Sequence, residues 1–229
     1  MPIASLTKMM TALVIFENCD NLDEIYEVPA EAINLEKNAS VANLQAGDKV
    51  TIKDLLYALL LPSGNDAALT LALNCAGGSV DNFSIMMNNE ASRLGAIRSH
   101  FVNPHGLHDD NHYTTAYDIY LMLNEISKYT EITDVMKNAY YTLEIWGKDG
   151  SYKAYNLPST DKYLNGEHTL PEGITIMAGK TGTTDEAGSC LALAVQNRYG
   201  IPYISIVLNA FNKPTLYADM DTLLTKTNS

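Results

Sequence analysis

A serine and a lysine near the amino terminus have the residue types and the spacing of a nucleophile and its base. Ser5 and Lys8 stand three positions apart, so on an α-helix their side chains lie on one face, within reach of each other. A serine hydroxyl becomes a nucleophile when a neighbour takes its proton, and a neutral lysine amine can do so. Because solvated helices also carry Ser-x-x-Lys by chance, the pair indicates catalysis only in the company of other motifs.

Two such motifs follow in a fixed order, Ser63-Gly64-Asn65 and Lys180-Thr181-Gly182. The same order occurs in penicillin-binding proteins and class A β-lactamases, where the middle motif reads Ser-Asp-Asn. On this trio and its flanking residues, the chain resembles the penicillin-binding D-alanyl-D-alanine carboxypeptidases of the low-molecular-mass serine type, a peptidase S11-like group. The matching stretches are residues 4–12, 61–68, 103–107, 179–182 and 185–188.

The resemblance implies a fold and a division of the chain. The fold is α/β (α+β), of the serine β-lactamase and transpeptidase type, with an antiparallel sheet, flanking helices and a mostly helical lobe. We expect one domain over residues 1–229, in which residues 1–21 and 171–229 form the sheet-and-helix part and residues 22–170 the mostly helical lobe. The active site would lie in the cleft between these two parts.

The resemblance also assigns catalytic roles. Ser5 would be the nucleophile and Lys8 its base, with the charge of Lys180 across the cleft helping to lower the pKa of Lys8. Ser63 would connect one of the two lysines to the departing amine and return the proton. The Ser5 N–H group, with that of Thr183, would form the oxyanion hole.

Substrate-binding roles fall on the second and third motifs. Asn65 would orient the lysine and hold the substrate's backbone amide, whereas Lys180 and Thr181 would bind the terminal carboxylate. Gly182 would let the strand backbone approach the ligand closely. The implied reaction removes the terminal D-Ala of a peptidoglycan stem peptide through an acyl-enzyme on Ser5, and β-lactams would acylate the same residue. No cofactor is expected.

Two alternatives stay open at this point. A class A-like β-lactamase would need a carboxylate for the deacylating water, in a Glu-x-x-x-Asn loop between the second and third motifs, and the sequence has none there. A catalytically impaired, truncated penicillin-binding or scaffold protein is the other alternative. It is suggested because the family's usual leading segment, carboxy-terminal β domain and membrane anchor are expected to be absent.

Composition restricts the partners. With 15 basic and 27 acidic residues, the net charge is −12 and no basic stripe stands out, so binding to nucleic acid is disfavoured. No apolar run is long enough to span a bilayer, and no secretory leader is recognisable. An extracytoplasmic location in the cell envelope therefore follows from the resemblance alone. Cys19, Cys75 and Cys190 are isolated among apolar neighbours, which predicts buried free thiols.

A loop rich in histidine is a candidate metal site. His108 and His112 are four residues apart, a spacing that could chelate zinc on a helix. Turn-forming residues such as Pro104 and Gly106 argue against a helix in this stretch. The sequence therefore predicts no metal site.

Hydrophobic periodicity and capping residues predict the elements that position these motifs. An apolar stripe predicts a first helix that ends between residues 18 and 21 with one side buried. The last strand, residues 203–208, is predicted to be an uncovered edge through which the chain could self-associate. The other predicted elements are helices at 51–61, 66–75, 79–93, 116–128, 132–137 and 215–226, a hairpin at 141–155 and strands at 174–179 and 190–196.

Overall fold

Helices fill the first part of the chain and antiparallel strands dominate its last part in the computed structural model, which describes residues 1–228. The helices are α1 (Thr7–Asn18), α2 (Ile52–Leu60), α3 (Asn65–Cys75), α4 (Val80–Leu94), α5 (Ala116–Ile126), α6 (Thr130–Met136) and α7 (Lys213–Lys226). The strands are β1 (Ile25–Glu27), β2 (Lys49–Thr51), β3 (Tyr140–Trp146), β4 (Tyr152–Pro158), β5 (Thr175–Thr184), β6 (Gly188–Gln196) and β7 (Pro202–Ala210). Short 3-10 turns lie at Ala4–Leu6 and Ala30–Ile33.

Three of the predicted helix starts, those of α2, α4 and α5, are confirmed by their capping bonds. The side chains of Thr51, Ser79 and Thr115 each accept the backbone N–H group of the residue three positions later. Such bonds satisfy one of the four N–H groups that a helix leaves unpaired at its start. Local sequence therefore determines where α2, α4 and α5 begin, and α2 in turn determines where the Ser63 loop lies.

The prediction that α1 buries only one side is wrong. Every residue from Leu6 to Ile15 is buried, because α1 packs against helices α2, α3, α4 and α5. Small and flexible residues such as Ala12 and Met9 allow this close packing on all faces. The first helix is thus the centre of the hydrophobic core, and its first turn is held from all sides.

The carboxy-terminal strands form an antiparallel sheet in the order β5-β6-β7. The prediction that the first of these strands ends at Gly179 is wrong, since β5 runs through the whole Lys180-Thr181-Gly182 motif. Lys180 pairs with Ala192 and Gly182 with Cys190, so the third motif is held by a continuous ladder. Helix α7 packs against β6 and β7.

A second sheet has the order β1-β2-β3-β4. Its β3-β4 hairpin is predicted from the sequence, but the pairing of β2 with β3, at Lys49 and Trp146, is not. This sheet lies within residues 22–170, the range expected to be mostly helical.

The cysteine prediction is partly wrong. All three thiols are free and Cys190 is buried, whereas Cys19 and Cys75 are partly exposed. Of these two partly exposed thiols, Cys19 follows α1 and Cys75 is the last residue of α3, and the carboxyl ends of both helices emerge from the core. No helix within residues 1–228 is both long and apolar enough to cross a membrane.

Candidate active site

The Ser5 turn, residues Ala4–Leu6, brings the serine of the first motif to the surface of a cleft. Ala4 and Leu6 are buried while Ser5 is partly exposed. Lys8 follows in the first turn of α1, and its Nζ lies 2.9 Å from Ser5 Oγ. The structure therefore brings the two residues of the first motif into hydrogen-bond contact.

The surroundings of Lys8 favour a neutral amine. Lys8 is completely buried, and its burial, followed by the charge of Lys180, lowers the pKa of its amine well below 10.5. Its Nζ donates to two groups that can only accept, Asn65 Oδ1 at 2.7 Å and the His105 carbonyl at 2.8 Å. A neutral amine has two N–H groups and one lone pair, so the lone pair then faces the Ser5 hydroxyl.

The second motif occupies the tight link between α2 and α3. Ser63 has a positive φ of 64°, which costs a residue with a side chain about 1 kcal/mol. The Gly64 N–H group bonds the Ala58 carbonyl at 2.9 Å, and a Cβ at Gly64 would come within 2.8 Å of that oxygen. Only glycine therefore permits this turn, which aims Ser63 into the cleft.

A buried carboxylate next to the second motif positions another part of the cleft. The Asp66 carboxylate accepts the N–H groups of Ala42 and Leu44, and the Ser40 carbonyl accepts the Asn65 N–H group. These bonds hold residues 40–44 against the start of α3. The pKa of Asp66 is raised by burial, and the backbone N–H groups oppose that shift.

Lys180 of the third motif lies opposite Ser63. Its Nζ donates to Ser63 Oγ at 2.9 Å and to the Thr181 carbonyl at 3.0 Å. Burial lowers the pKa of this amine to about 7, and the charge of Asp161 opposes the shift. Asp161 is itself buried, with a pKa raised by burial to about 6. The second and third motifs are therefore joined by a buried lysine whose pKa lies near neutral pH.

Gly182 allows β5 to approach the Ser5 turn. A Cβ at this position would come within 2.7 Å of the Ile3 carbonyl oxygen and 3.1 Å of the Ser5 nitrogen. The resemblance implies that this glycine admits a ligand, whereas the closest atoms belong to the chain's own backbone. Gly182 thus sets the separation between Ser5 and the strand that carries Thr183.

These elements enclose a cleft of about 120 Å³. Of the predicted site residues, Ser5, Ser63, Thr181, Gly182 and Thr183 line it, while Lys8, Asn65 and Lys180 lie behind its wall. Sequence reasoning missed half of the lining, because those residues come from loops and helix ends without a motif. The lining residues are Ser5, Ser40, Ser63, Thr160, Thr181, Gly182, Thr183, Lys213, Leu216 and Tyr217.

Two of the missed residues complement the third motif. Thr160 Oγ1 lies 2.6 Å from Thr181 Oγ1, so a second hydroxyl stands beside the strand. Lys213, the first residue of α7, is exposed and lines the same cleft. The only sequence signal near it is the helix start at Asn212 and Pro214, which says nothing about the cleft.

A sequence model of the Peptidase_S11 family, D-alanyl-D-alanine carboxypeptidase, matches residues 1–212. The chain belongs to this family. It is 31% identical over 200 residues to D-alanyl-D-alanine carboxypeptidase DacF of Bacillus subtilis (strain 168), covering 84% of this chain and 47% of that protein. Over 224 residues it is 33% identical to the D-alanyl-D-alanine carboxypeptidase of Streptomyces sp. (strain K15), covering 94% of this chain and 75% of that one.

The fold of this family member is that of solved DD-peptidases. The crystal structure of the Streptomyces K15 DD-transpeptidase superposes with a TM-score of 0.89 at 32% identity, over 98% of this chain and 86% of that one. The D-alanyl-D-alanine carboxypeptidase of Mycobacterium tuberculosis H37Rv gives a TM-score of 0.83 at 25% identity, over 99% and 80%. The predicted family and the predicted transpeptidase-like fold are both confirmed.

The histidine loop of this S11 peptidase is not helical, as predicted. His112 uses both ring nitrogens within the protein, since Nε2 lies 2.7 Å from Thr7 Oγ1 and Nδ1 accepts the Val102 N–H group. His105 Nδ1 likewise accepts the Leu107 N–H group. Within residues 1–228, no group of three or more His, Cys, Asp or Glu side chains is placed to hold a metal ion.

Proposed function

We propose that the chain is a serine-type D-Ala-D-Ala carboxypeptidase that removes the terminal D-Ala from peptidoglycan stem peptides through an acyl-enzyme on Ser5. One observation carries the proposal: the buried Lys8 Nζ lies 2.7 Å from Asn65 Oδ1, 2.8 Å from the His105 carbonyl oxygen and 2.9 Å from Ser5 Oγ. A neutral amine that donates to the first two acceptors turns its lone pair to the Ser5 hydroxyl. A serine in this contact has the base that acyl transfer requires. Membership of the S11 family supplies the substrate class.

In the acylation step, Ser5 Oγ attacks the carbonyl carbon between the two D-Ala residues while its proton moves to Lys8 Nζ. The negative charge that develops on the carbonyl oxygen would be held by the N–H groups of Ser5 and Thr183, two residues that line the cleft. One donor of this kind contributes about 3 kcal/mol to lowering the barrier in other acyl-transfer enzymes. Gly182 keeps the two donors at the required separation.

The leaving amine needs a proton, and the second motif provides a path for it. The Ser63 hydroxyl faces the cleft and is bonded to Lys180 Nζ. With a pKa of about 7, Lys180 can give and regain a proton near neutral pH. Ser63 therefore passes a proton to the departing D-Ala, and water then hydrolyses the ester on Ser5.

Groups around the third motif suit the free carboxylate of the terminal D-Ala. The hydroxyls of Thr181 and Thr160 are neighbours, and the cationic residue Lys213 lines the same cleft. Two hydroxyl donors and a cation fit an anionic end group. A free carboxylate next to the cleaved bond also distinguishes the substrate of a carboxypeptidase from a peptide that is cleaved at an internal bond.

The two alternatives gain no support from this geometry. An impaired scaffold would not require a desolvated lysine held against the serine, and that contact is intact. A β-lactamase and a carboxypeptidase share the acylation step, so β-lactams should acylate Ser5 in either case. The S11 family model covers most of the chain and describes carboxypeptidases.

Incubation with a fluorescent penicillin tests the proposal. We expect one stoichiometric adduct on Ser5, found by peptide mapping, and release of free D-Ala from a synthetic peptide ending in D-Ala-D-Ala. The Ser5→Ala variant should show neither signal with an unchanged melting temperature. An adduct on any other residue would refute the assignment of Ser5, and an unlabelled wild-type chain would favour the scaffold.

We also propose that the chain works in the cell envelope, where its substrate lies.

We propose in addition that the chain self-associates through β7. Within residues 1–228, β7 pairs only with β6, so its other edge carries unpaired backbone groups of the kind that recruit another strand. Tyr203 on this strand is 38% exposed. Sedimentation should show a concentration-dependent dimer that Ile204→Pro abolishes. A wild-type chain that stays monomeric up to its solubility limit contradicts this proposal.

A further inference from the structure

One peptide unit joins the strained residue of the Ser5 turn to the proposed oxyanion hole. The Ala4 carbonyl and the Ser5 N–H group belong to the same planar peptide, so they point in opposite directions and rotate together. Ala4 has a φ of 49°, a left-handed conformation that costs an alanine about 1–2 kcal/mol. The orientation of the Ser5 N–H group therefore depends on whatever holds the Ala4 carbonyl.

Thr7 holds that carbonyl. Its hydroxyl donates to the Ala4 oxygen at 2.8 Å, and its backbone N–H group also reaches this atom. The Thr7 side chain is completely buried, so no water competes for the bond. The Ala4 carbonyl is thereby drawn towards the helix, and the Ser5 N–H group is turned the opposite way.

His112 determines the direction of the Thr7 hydroxyl. The Val102 N–H group donates to His112 Nδ1, so a neutral ring carries its proton on Nε2. This N–H group donates a hydrogen bond to Thr7 Oγ1 at 2.7 Å. The hydroxyl, having accepted this hydrogen bond, directs its own hydrogen at the Ala4 carbonyl. Burial lowers the pKa of His112 to about 4, so the ring is neutral at the pH of the reaction.

We propose that Thr7 and His112 are positioning residues that orient the Ser5 N–H group for the oxyanion, through the chain of bonds Val102–His112–Thr7–Ala4. Hydrogen bonds in such a chain polarise and strengthen each other. Neither side chain lines the cleft, and both act through the Ala4–Ser5 peptide. This inference rests on the proposed acyl-transfer function, because it concerns the orientation of one of that reaction's donors.

The Thr7→Val variant tests the proposal, because valine has the shape of threonine without the hydroxyl. We expect the acylation rate constant at saturating penicillin to fall at least about tenfold, since oxyanion donors act in the transition state. The dissociation constant of the complex before acylation should change little. Thr7→Ser keeps the hydroxyl and should restore most of the rate.

Thr70→Val is the matched control. Thr70 is also completely buried, and its hydroxyl bonds a helix carbonyl, that of Asp66, at 2.8 Å. We expect it to lose similar stability and to keep its acylation rate. If Thr7→Val does not fold, the variants His112→Phe and His112→Gln replace it. The glutamine side chain keeps an N–H donor and phenylalanine does not, so we expect His112→Gln to be acylated faster than His112→Phe.

The outcomes separate this inference from the proposed function. A wild-type chain that penicillin does not acylate contradicts the proposed function, and the orientation of the peptide is then read from the Ser5 amide resonance. A shift of that resonance in Thr7→Val but not in Thr70→Val supports the positioning role, and its absence opposes it. If penicillin acylates the wild-type chain, and acylates Thr7→Val at saturation as fast as the wild-type chain, the inference is overturned.

Discussion

Replacing Lys8 with methionine is expected to slow acylation of the chain by penicillin about 10²- to 10⁴-fold, the usual contribution of a general base. Methionine fills a similar volume but has no proton acceptor for the Ser5 hydroxyl. Its thioether leaves Asn65 Oδ1 and the His105 carbonyl without their donor, at a cost of about 1–3 kcal/mol each. Removing a buried, ionisable amine offsets part of this cost. The measurement is the rate of adduct formation by stopped-flow or intact mass spectrometry.

The dependence of the wild-type acylation rate on pH should report the protonation of Lys8. Lys8 accepts a proton only when neutral, so the acylation rate should rise with pH and level off well below 10.5, because burial and Lys180 lower its pKa. In the unfolded chain, Lys8 regains its ordinary pKa and binds a proton that the folded chain has released. Stability should therefore increase with pH between the folded and unfolded pKa values of Lys8. Lys8→Met should remove this contribution to the slope.

Lys53→Met provides the control for this prediction. Lys53 is exposed on α2, so its replacement should leave the acylation rate unchanged. If Lys8→Met were acylated as fast as Lys53→Met, the proton acceptor would have to be another group. Lys180, whose pKa of about 7 also gives a neutral fraction, would then be the residue to change.

The meeting of the three motifs was predictable because their residues form short local patterns. Ser5 and Lys8 meet through a single helical turn, and Ser63 is brought into the cleft by the stop of α2 and a glycine that permits the turn. Local capping bonds likewise made the helix starts predictable. Signals of this kind depend on residues within about one helical turn of each other, which a sequence displays directly.

The remainder of the site depends on contacts between distant residues. Lys213 reaches the cleft only because α7 packs against the sheet, and Thr160 only because a loop runs beside β5. The bond between Thr7 and His112 spans 105 positions, and the sequence indicates His112 only as a candidate metal ligand. The burial of α1 on all faces as far as Ile15 could not be predicted either, because its apolar stripe does not reveal how many helices surround it.

Gly106→Ala is expected to destabilise the chain by about 3 kcal/mol or more, the sum of a strained backbone and an overpacked core. Gly106 has a φ of 89°, and a Cβ there would come within 2.0 Å of the Ala4 carbonyl oxygen and 2.8 Å of Thr7 Oγ1. The loop cannot easily retreat, because Asn103 Oδ1 binds the Gly106 N–H group at 2.7 Å. For a chain of this length the melting temperature should fall by about 6–12 °C.

Gly78→Ala separates backbone strain from this clash. Gly78 has a φ of 85°, close to that of Gly106, but a Cβ there would have no neighbour within 4 Å. We expect a loss of only about 1–2 kcal/mol and an unchanged acylation rate. Gly106→Ala should in addition slow acylation, because the new methyl group must displace the Ala4 carbonyl and rotate the Ser5 N–H group with it. Equal losses of stability in the two variants, with equal acylation rates, would show that the loop does not press on the Ser5 turn.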